Sequence, residues 1–468
     1  MNSARMAVAS DSGRIKPPAA AALASRAFIL EGPIVPGLLR LGLPTLIVIT
    51  VQTLVGVAEA YFVSFLGTDA LAGVAVVFPV LMLMQMMANG GFGQGVASAI
   101  ARAIGGNRFA DAQALAFHAL VLALVLGGVF MVAALLGGPL LYRALGAREG
   151  ALTAALTFSN ITFLGAVPIW MTALLAAVLR GSGQVKVPAL ITFTGALVLV
   201  PLSPALIFGL GPLPRLGIAG GAAANGLYAT LCAAAMLLYL RMGRSGLRLA
   251  VTPLRWRLFK DILGVGTLSA LSTVQTNLTV ALVTGAVGLY GTAAIAGYGV
   301  AARLDYLLIP LLFGFGTAAV TMVGTAIGAG DVARARRVAW VGALIGGGAT
   351  GLIGAVVAAF PTLWLRLFTD DAAALATGAQ YLRLVAPFYW LFGVGLMIYF
   401  ASQGAQRVLV PLLGGTARLL LAGVVGWFAS ARFGLSLAGL FAFVAAAQVV
   451  FGAVCVAGLA FGRWGKKA

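Results

Sequence analysis

The sequence predicts an all-α polytopic membrane protein: twelve transmembrane helices in two pseudo-twofold-related six-helix bundles around a central cleft. Three observations predict it. First, the chain is 62% hydrophobic and 9% charged, with a mean hydropathy of +1.07. A soluble domain carries about 25% charged residues, so this chain cannot cover a water-facing surface. Second, long apolar blocks follow one another along the whole sequence. Third, the second half repeats features of the first at a constant offset.

The blocks span 37–64, 71–97, 113–137, 151–179, 188–210, 217–240, 258–287, 293–321, 337–360, 376–402, 410–430 and 436–461. About 20 apolar residues suffice to cross a bilayer as a helix, so several blocks are long enough to tilt or kink. Pro44, Pro79, Pro168, Pro310 and Pro387 fall inside blocks, and each removes a backbone hydrogen bond. The 63 glycines allow close helix contact. Residues 1–36 read as a mobile cytoplasmic tail and 462–468 as a second cytoplasmic tail. Between them lie an N-terminal bundle (37–240), a basic cytoplasmic linker (241–257) and a C-terminal bundle (258–461).

Charge sets the orientation. With the N-terminus inside, 22 of the 30 Lys and Arg residues fall in cytoplasmic segments and 5 in external ones. The excess places both termini in the cytoplasm. The net charge of +19 is therefore no sign of nucleic-acid binding, because the basic residues are spread over short segments between apolar blocks. Cys232 and Cys455 each lie within an apolar block and read as packing residues. His118 is the single histidine, which excludes a multi-histidine metal site. No phosphate-binding G-x-x-x-x-G-K-[ST] loop and no nucleophile–base pair stands out, so the chain does not read as an enzyme.

The repeat is explicit. TVQT at 50–53 recurs at 273–276, and LGT and ALAG at 66–68 and 70–73 recur as YGT and AIAG at 290–292 and 294–297. AIGGNRFADA (103–112) recurs as AIGAGDVARA (326–335), and RGSGQVKVPAL (180–190) as QGAQRVLVPLL (403–413). The offset stays at 223 or 224. Six spans per repeat give both halves the same membrane orientation, related by an axis along the membrane normal. A cleft between such halves suits alternating access.

These motifs resemble the multidrug and toxic compound extrusion (MATE) transporters. LGLP, a carboxylate 15 residues after its Pro, and FLGTDALAG resemble that family's first helix and following turn. RGSG with Pro188, IFGLGPLPRLGIAGGAAANG (207–226), YGTAAIAGYGVAARLD (290–305), GTAIGAGD (324–331) and FTD (368–370) continue the pattern in order. The likeness covers roughly residues 37–461. It implies export of organic, often cationic, compounds in exchange for inward protons or sodium ions. One branch of the family places an Asp on the first helix and an Asn and an Asp on the fifth. Here those positions read Glu59, Leu199 and Ser203. Another branch carries acids on helices seven and ten. Here the seventh block holds Gln275 and Asn277, and the tenth holds Tyr389, Trp390 and Gln403.

Glu59 is the first coupling candidate. It lies inside the first apolar block, where a charged side chain costs roughly 2.5–3.5 kcal/mol on insertion scales. A low-dielectric setting favours the neutral form of a carboxylate, so such a group can exchange a proton for a cationic substrate. One carboxylate with few extra oxygens makes a poor sodium cage, which favours protons. Asp305 is the second candidate, and Arg303, two residues away, does not share its helix face. Each carboxylate also admits a purely structural reading. Gln52, two helical turns before Glu59, together with Gln85, Asn89, Gln275 and Asn277, are amides suited to a substrate cleft or to interhelical hydrogen bonds. Met82, Met84, Met86 and Met87 suit a broad pocket or ordinary packing. Tyr389 and Trp390 offer an aromatic face to a cation.

The expected function is a secondary antiporter in a bacterial inner membrane. It exports amphipathic, cationic organic compounds, uses protons as the coupling ion and needs no cofactor. The alternatives are sodium coupling, a same-fold exporter or flippase of a lipid-linked precursor or metabolite, and a passive channel. The expected partners are a small organic substrate and the bilayer.

Overall fold

A computed structural model describes residues 17–464, and every described element is helical. Arg5, Arg14, Lys16, Lys466 and Lys467, counted above for orientation, lie outside the described residues. Eleven helices are long and apolar enough to cross a membrane, and one bent pair makes a twelfth span. In chain order they follow a short helix, α1 (Pro17–Glu31). The first lobe holds α2 (Ile34–Ser64), α3 (Thr68–Gly105), α4 (Phe109–Ala144), α5 (Glu149–Leu164 with Ala166–Gly181), α6 (Lys186–Phe208) and α7 (Ile218–Arg241). The second holds α8 (Trp256–Gly288), α9 (Thr292–Gly328), α10 (Val332–Ala359), α11 (Ala372–Gly404), α12 (Leu409–Phe433) and α13 (Leu437–Phe461).

Local irregularities follow from the residues. Pro168 has no N–H to offer the Leu164 carbonyl one turn earlier, and α5 bends there by 47°. Pro387 acts similarly in α11, which tightens to a 3-10 turn at Ala386–Phe388. Two π segments, Met87–Phe92 in α3 and Leu419–Val425 in α12, insert an extra residue per turn and re-aim the side chains beside them. The linker is not a free tether. Leu247 and Leu249 are buried in the first lobe, and the Arg255 N–H donates to His118 Nε2 at 2.9 Å. His118 Nδ1 stands 2.7 Å from the Ala114 carbonyl, so one neutral tautomer satisfies both ring nitrogens.

The short connections alternate between two ends. Arg102, Arg108, Arg180, Lys186, Arg257, Lys260 and Arg334 mark one end, called here the basic end. The lobes meet there. Arg102 Nη2 of α3 pairs with Asp261 Oδ1 of α8 at 2.9 Å. Ser98 Oγ donates to the Gln403 carbonyl at 2.5 Å. Thr321 Oγ1 donates to the Arg180 carbonyl at 3.2 Å.

The repeat governs how closely the backbones approach. A Cβ on Gly105 would stand 2.0 Å from the Thr325 carbonyl oxygen, and one on Gly328 would stand 2.1 Å from that of Arg102. Gly105 and Gly328 are 223 positions apart, and so are Arg102 and Thr325. The two contacts are therefore pseudo-twofold mates at the seam itself. Within the lobes, a Cβ on Gly181 would stand 2.6 Å from the Ala97 carbonyl oxygen and one on Gly404 2.6 Å from that of Val320, again 223 positions apart. Gly105→Ala is expected to force the basic end apart and reduce transport at least tenfold in a liposome flux assay. Gly137→Ala, at a site with open space around it, is expected to leave transport unchanged.

The expected mobility of residues 1–36 does not hold over the second part of that segment. There α1 bridges both lobes across the basic end. Arg26 Nε donates to the Gly105 carbonyl at 3.0 Å on one lobe. From the other lobe, Arg334 donates to the carbonyls of Ile29 and Gly32 at 2.9 and 2.5 Å. Ile29 is 3% exposed, so an apolar anchor joins these bonds. Arg334→Ala is expected to release α1 and to speed tryptic cleavage after Arg26 severalfold. An unchanged cleavage rate would show that the anchor alone holds the helix.

Candidate substrate cavity and protonation sites

A cavity of about 390 Å³ lies between the lobes, lined by residues of ten of the twelve spans. The face of α3 toward it carries Met82, Gln85, Met86 and Asn89, at helical spacing, with Asn89 on the π segment. Gln52 comes from α2, and Asn225 and Tyr228 from α7. The second lobe adds Ser272, Thr276, Phe313, Phe392, Tyr399 and Phe400. The charged lining residues are Arg180, from the basic end of α5, and Arg418, beside the π segment of α12. No carboxylate is among the lining residues. Toward the basic end the seam described above closes the cavity. Toward the opposite end the cavity face of α2 loses its cover: Gly56, one turn beyond Gln52, is exposed, and a Cβ on it would meet nothing within 4 Å.

Glu59 sits in the first lobe beside this cavity. It is five residues from Ser64, the end of α2, or about 7.5 Å at the helical rise. It therefore lies nearer the open end than the middle of the span. Asn225 Nδ2 donates to both of its carboxylate oxygens, at 2.7 and 2.8 Å. One turn along α7, Tyr228 OH lies 3.5 Å from Gln52 Nε2. Residues seven apart on α2 thus face residues three apart on α7, and a polar seam runs from Glu59 to the cavity. Among the described residues no Lys or Arg pairs with Glu59.

Asp305 sits inside the second lobe. Tyr381 OH donates to its Oδ2 at 2.5 Å, and Tyr389 OH donates to its Oδ1. Tyr298 packs edge-on against Tyr381 and stacks on Phe441, which encloses the site with aromatic rings. Arg303 turns away and lies over the Phe368 ring at 5.2 Å. Arg418 is within electrostatic reach of Asp305 without a direct ion pair.

The fold is shared with known proteins. The MatE family model matches residues 44–205 and 269–428, once in each half. The chain belongs to the MatE family. Two curated relatives span most of it. One is the FAD transporter of Shewanella oneidensis, 27% identical over 405 residues, covering 84% of this chain and 87% of the relative. The other is the probable multidrug resistance protein NorM of Thermotoga maritima, 26% identical over 385 residues, covering 80% and 81%. A solved MATE transporter of the MOP superfamily, described as outward-facing, superposes with a TM-score of 0.84 at 27% identity, covering 93% of this chain and 97% of its own. A MOP superfamily transporter from Pyrococcus furiosus, described as having a binding pocket of reverse polarity, superposes with a TM-score of 0.84 at 26% identity and the same coverage.

Within this MatE family fold, the residues singled out from sequence divide. Gln52, Gln85 and Asn89 line the cavity. Of the methionines, Met82 and Met86 line it, while Met84 is fully buried in the first-lobe core and Met87 packs against that core. Gln275 and Asn277 are not lining residues. Gln275 Nε2 donates to Thr416 Oγ1 at 2.8 Å inside the second lobe, and Asn277 Nδ2 donates to the Thr273 carbonyl at 2.9 Å. Their neighbours Ser272, Thr273, Thr276 and Thr279 hold the cavity face of α8 instead.

Tyr389 and Trp390 also leave the cleft. Tyr389 is 1% exposed and bonded to Asp305, while Trp390 is 48% exposed and packs against Gly351 of α10. Adjacent residues on a helix point about 100° apart, so the pair cannot present a joint aromatic face. Glu59 and Asp305 do not meet either, because each belongs to its own lobe. Leu199 and Ser203, compared above with the family's fifth-helix Asn and Asp, are buried in α6, and Leu199 packs in the cluster with Val55 of α2. Asn225, Tyr228, Arg180 and Arg418 were not among the candidates. Each was visible as a polar residue inside or at the edge of an apolar block.

Proposed function

We propose that the protein is a secondary active antiporter that exports amphipathic organic compounds in exchange for inward protons by alternating access. The observation that carries this reading is the two-lobed cavity, closed at the basic end and uncovered at the other. On the positive-inside rule the basic end is cytoplasmic; on this reading the state is outward-open and both termini face the cytoplasm from a bacterial inner membrane. Relatives named for multidrug resistance and one named a FAD transporter support an organic cargo. Glu59 near the open end then takes its proton from outside, and Asp305 is a second protonation site in the other lobe.

The surroundings of both carboxylates favour protons over sodium ions. Asn225 turns its N–H donors to Glu59, and two tyrosine hydroxyls donate to Asp305. A bare cation needs several oxygen ligands instead. The test is efflux of a fluorescent organic ion from liposomes holding the purified protein, under an imposed pH gradient without sodium. Flux that follows the pH gradient supports the reading. Flux that starts only with a sodium gradient replaces the coupling ion. Flux that follows the membrane potential alone makes the protein a passive channel.

A further inference from the structure

Arg180 is the starting point. Among the described residues three arginines are nine-tenths or more buried: Arg102, Arg180 and Arg334, at 6, 8 and 9% exposure. Arg102 has Asp261 and Ser98, and Arg334 has two backbone carbonyls. Arg180 differs, because its Nε and Nη2 are buried without an acceptor. A desolvated guanidinium left unpaired is costly, and an intramembrane ionisable side chain of this kind marks a substrate or ion path. Its placement fits, since Arg180 is a lining residue of the cavity near the basic end, and Gly181 fixes it closely against Ala97. From the other lobe the lining contributes Arg418, whose guanidinium lies 5.2 Å from the centre of the Phe392 ring. The lining thus presents one cation from each lobe and no carboxylate; of the two, Arg418 has Asp305 within electrostatic reach behind it, and Arg180 is the one without a nearby acid among the described residues.

We infer that the cargo of this cavity is an organic anion: an apolar or aromatic body carrying a carboxylate or phosphate that Arg180 binds, with Arg418 supplying the second positive charge. The inference rests on the transport reading for where cargo sits, and it replaces the expected cationic substrate. A guanidinium binds a carboxylate or phosphate through two parallel N–H donors, and Arg180 has two donors free. Phe313, Phe400, Tyr399 and Met82 receive the apolar body. Because the two arginines belong to different lobes, the anion favours the arrangement in which both reach it. Coupling changes with the sign of the cargo. A monoanion leaving against an entering proton moves net charge and responds to membrane potential, whereas a one-for-one exchange of proton and monocation does not.

The test uses matched probes with one apolar body and opposite heads, 1-pyrenebutyrate and pyrenylbutyl-trimethylammonium. Binding to the full-length purified protein is read by pyrene fluorescence. The expected result is affinity for the anion at least tenfold above that for the cation, reduced to near parity in Arg180→Gln and only partly retained in Arg180→Lys, which keeps the charge but not the two parallel donors. Arg418→Gln, which leaves the seam at the basic end intact, is expected to lower anion affinity several-fold. It keeps the test open if Arg180→Gln fails to fold. Equal binding of the two probes, tighter binding of the cation, or no binding of either overturns the inference. So does a wild-type preference that survives in both Gln variants, because Arg180 then only braces another arrangement of the seam. Binding is measured without gradients. Anion-selective binding without proton-driven flux would therefore sink the transport reading and leave the anion site standing.

Discussion

Asp261→Asn is expected to open the basic end. Asp261 is the one carboxylate paired with Arg102, whose side chain is 8% exposed. The pair joins α3 of the first lobe to α8 of the second. Gln406 adds a bond to Asp261 at 3.1 Å, and Ser98 ties Arg102 to the α11 backbone through the Gln403 carbonyl. Breaking a buried pair costs about 3–5 kcal/mol. The lower end applies here, because Asp261 keeps 26% of its side chain exposed. About 3 kcal/mol is on the order of a hundredfold in population, enough to remove the closed seam from dominance. Spin labels at Lys186→Cys and Arg337→Cys, with Cys232 and Cys455 replaced, would read the inter-lobe distance. A longer main distance in Asp261→Asn is the expected result. An unchanged distribution would show that the glycine contacts and α1 hold the seam without the ion pair.

The second large effect concerns the carboxylates. Glu59→Gln removes the carboxylate of the polar seam between α2 and α7. The amide of Asn225 loses a charged acceptor but keeps the Gln oxygen, so the fold survives. Proton-driven flux is expected to fall at least a hundredfold. Asp305→Asn is expected to lower it about tenfold, because the aromatic cage around Tyr381 and Tyr389 keeps its shape while the second protonation site is lost. Thermal melting of both variants close to wild type would separate these losses from unfolding. Wild-type flux in Asp305→Asn would make that carboxylate structural and leave coupling to Glu59 alone.

The architecture was legible because it depends on long, redundant signals. Apolar length fixes a span, and a constant offset fixes the pseudo-symmetry that brings Gly105 and Gly328 to mating positions. The bend of α5 was legible at Pro168 for the same local reason. Site residues were harder, because a polar residue in an apolar block says that it needs a partner but not where the partner lies. Gln275 and Gln52 hold equivalent places in the TVQT repeat. Yet Gln52 faces the cavity and Gln275 bonds within its lobe, because α12 offers Thr416 there. Asn225 escaped notice because its function depends on an approach between α2 and α7. Arg180 was counted as an orienting charge, and only its burial without an acceptor sets it apart from its neighbours.

The most direct test of the central claim is proton movement on addition of cargo. The purified protein is placed in liposomes with trapped pyranine and no sodium, and the more tightly bound pyrene probe is added on one side. Wild type is expected to move protons against the direction of probe flux, and Glu59→Gln is expected to move neither. Probe flux without proton movement in wild type, or equal proton movement in Glu59→Gln, would contradict proton antiport through Glu59.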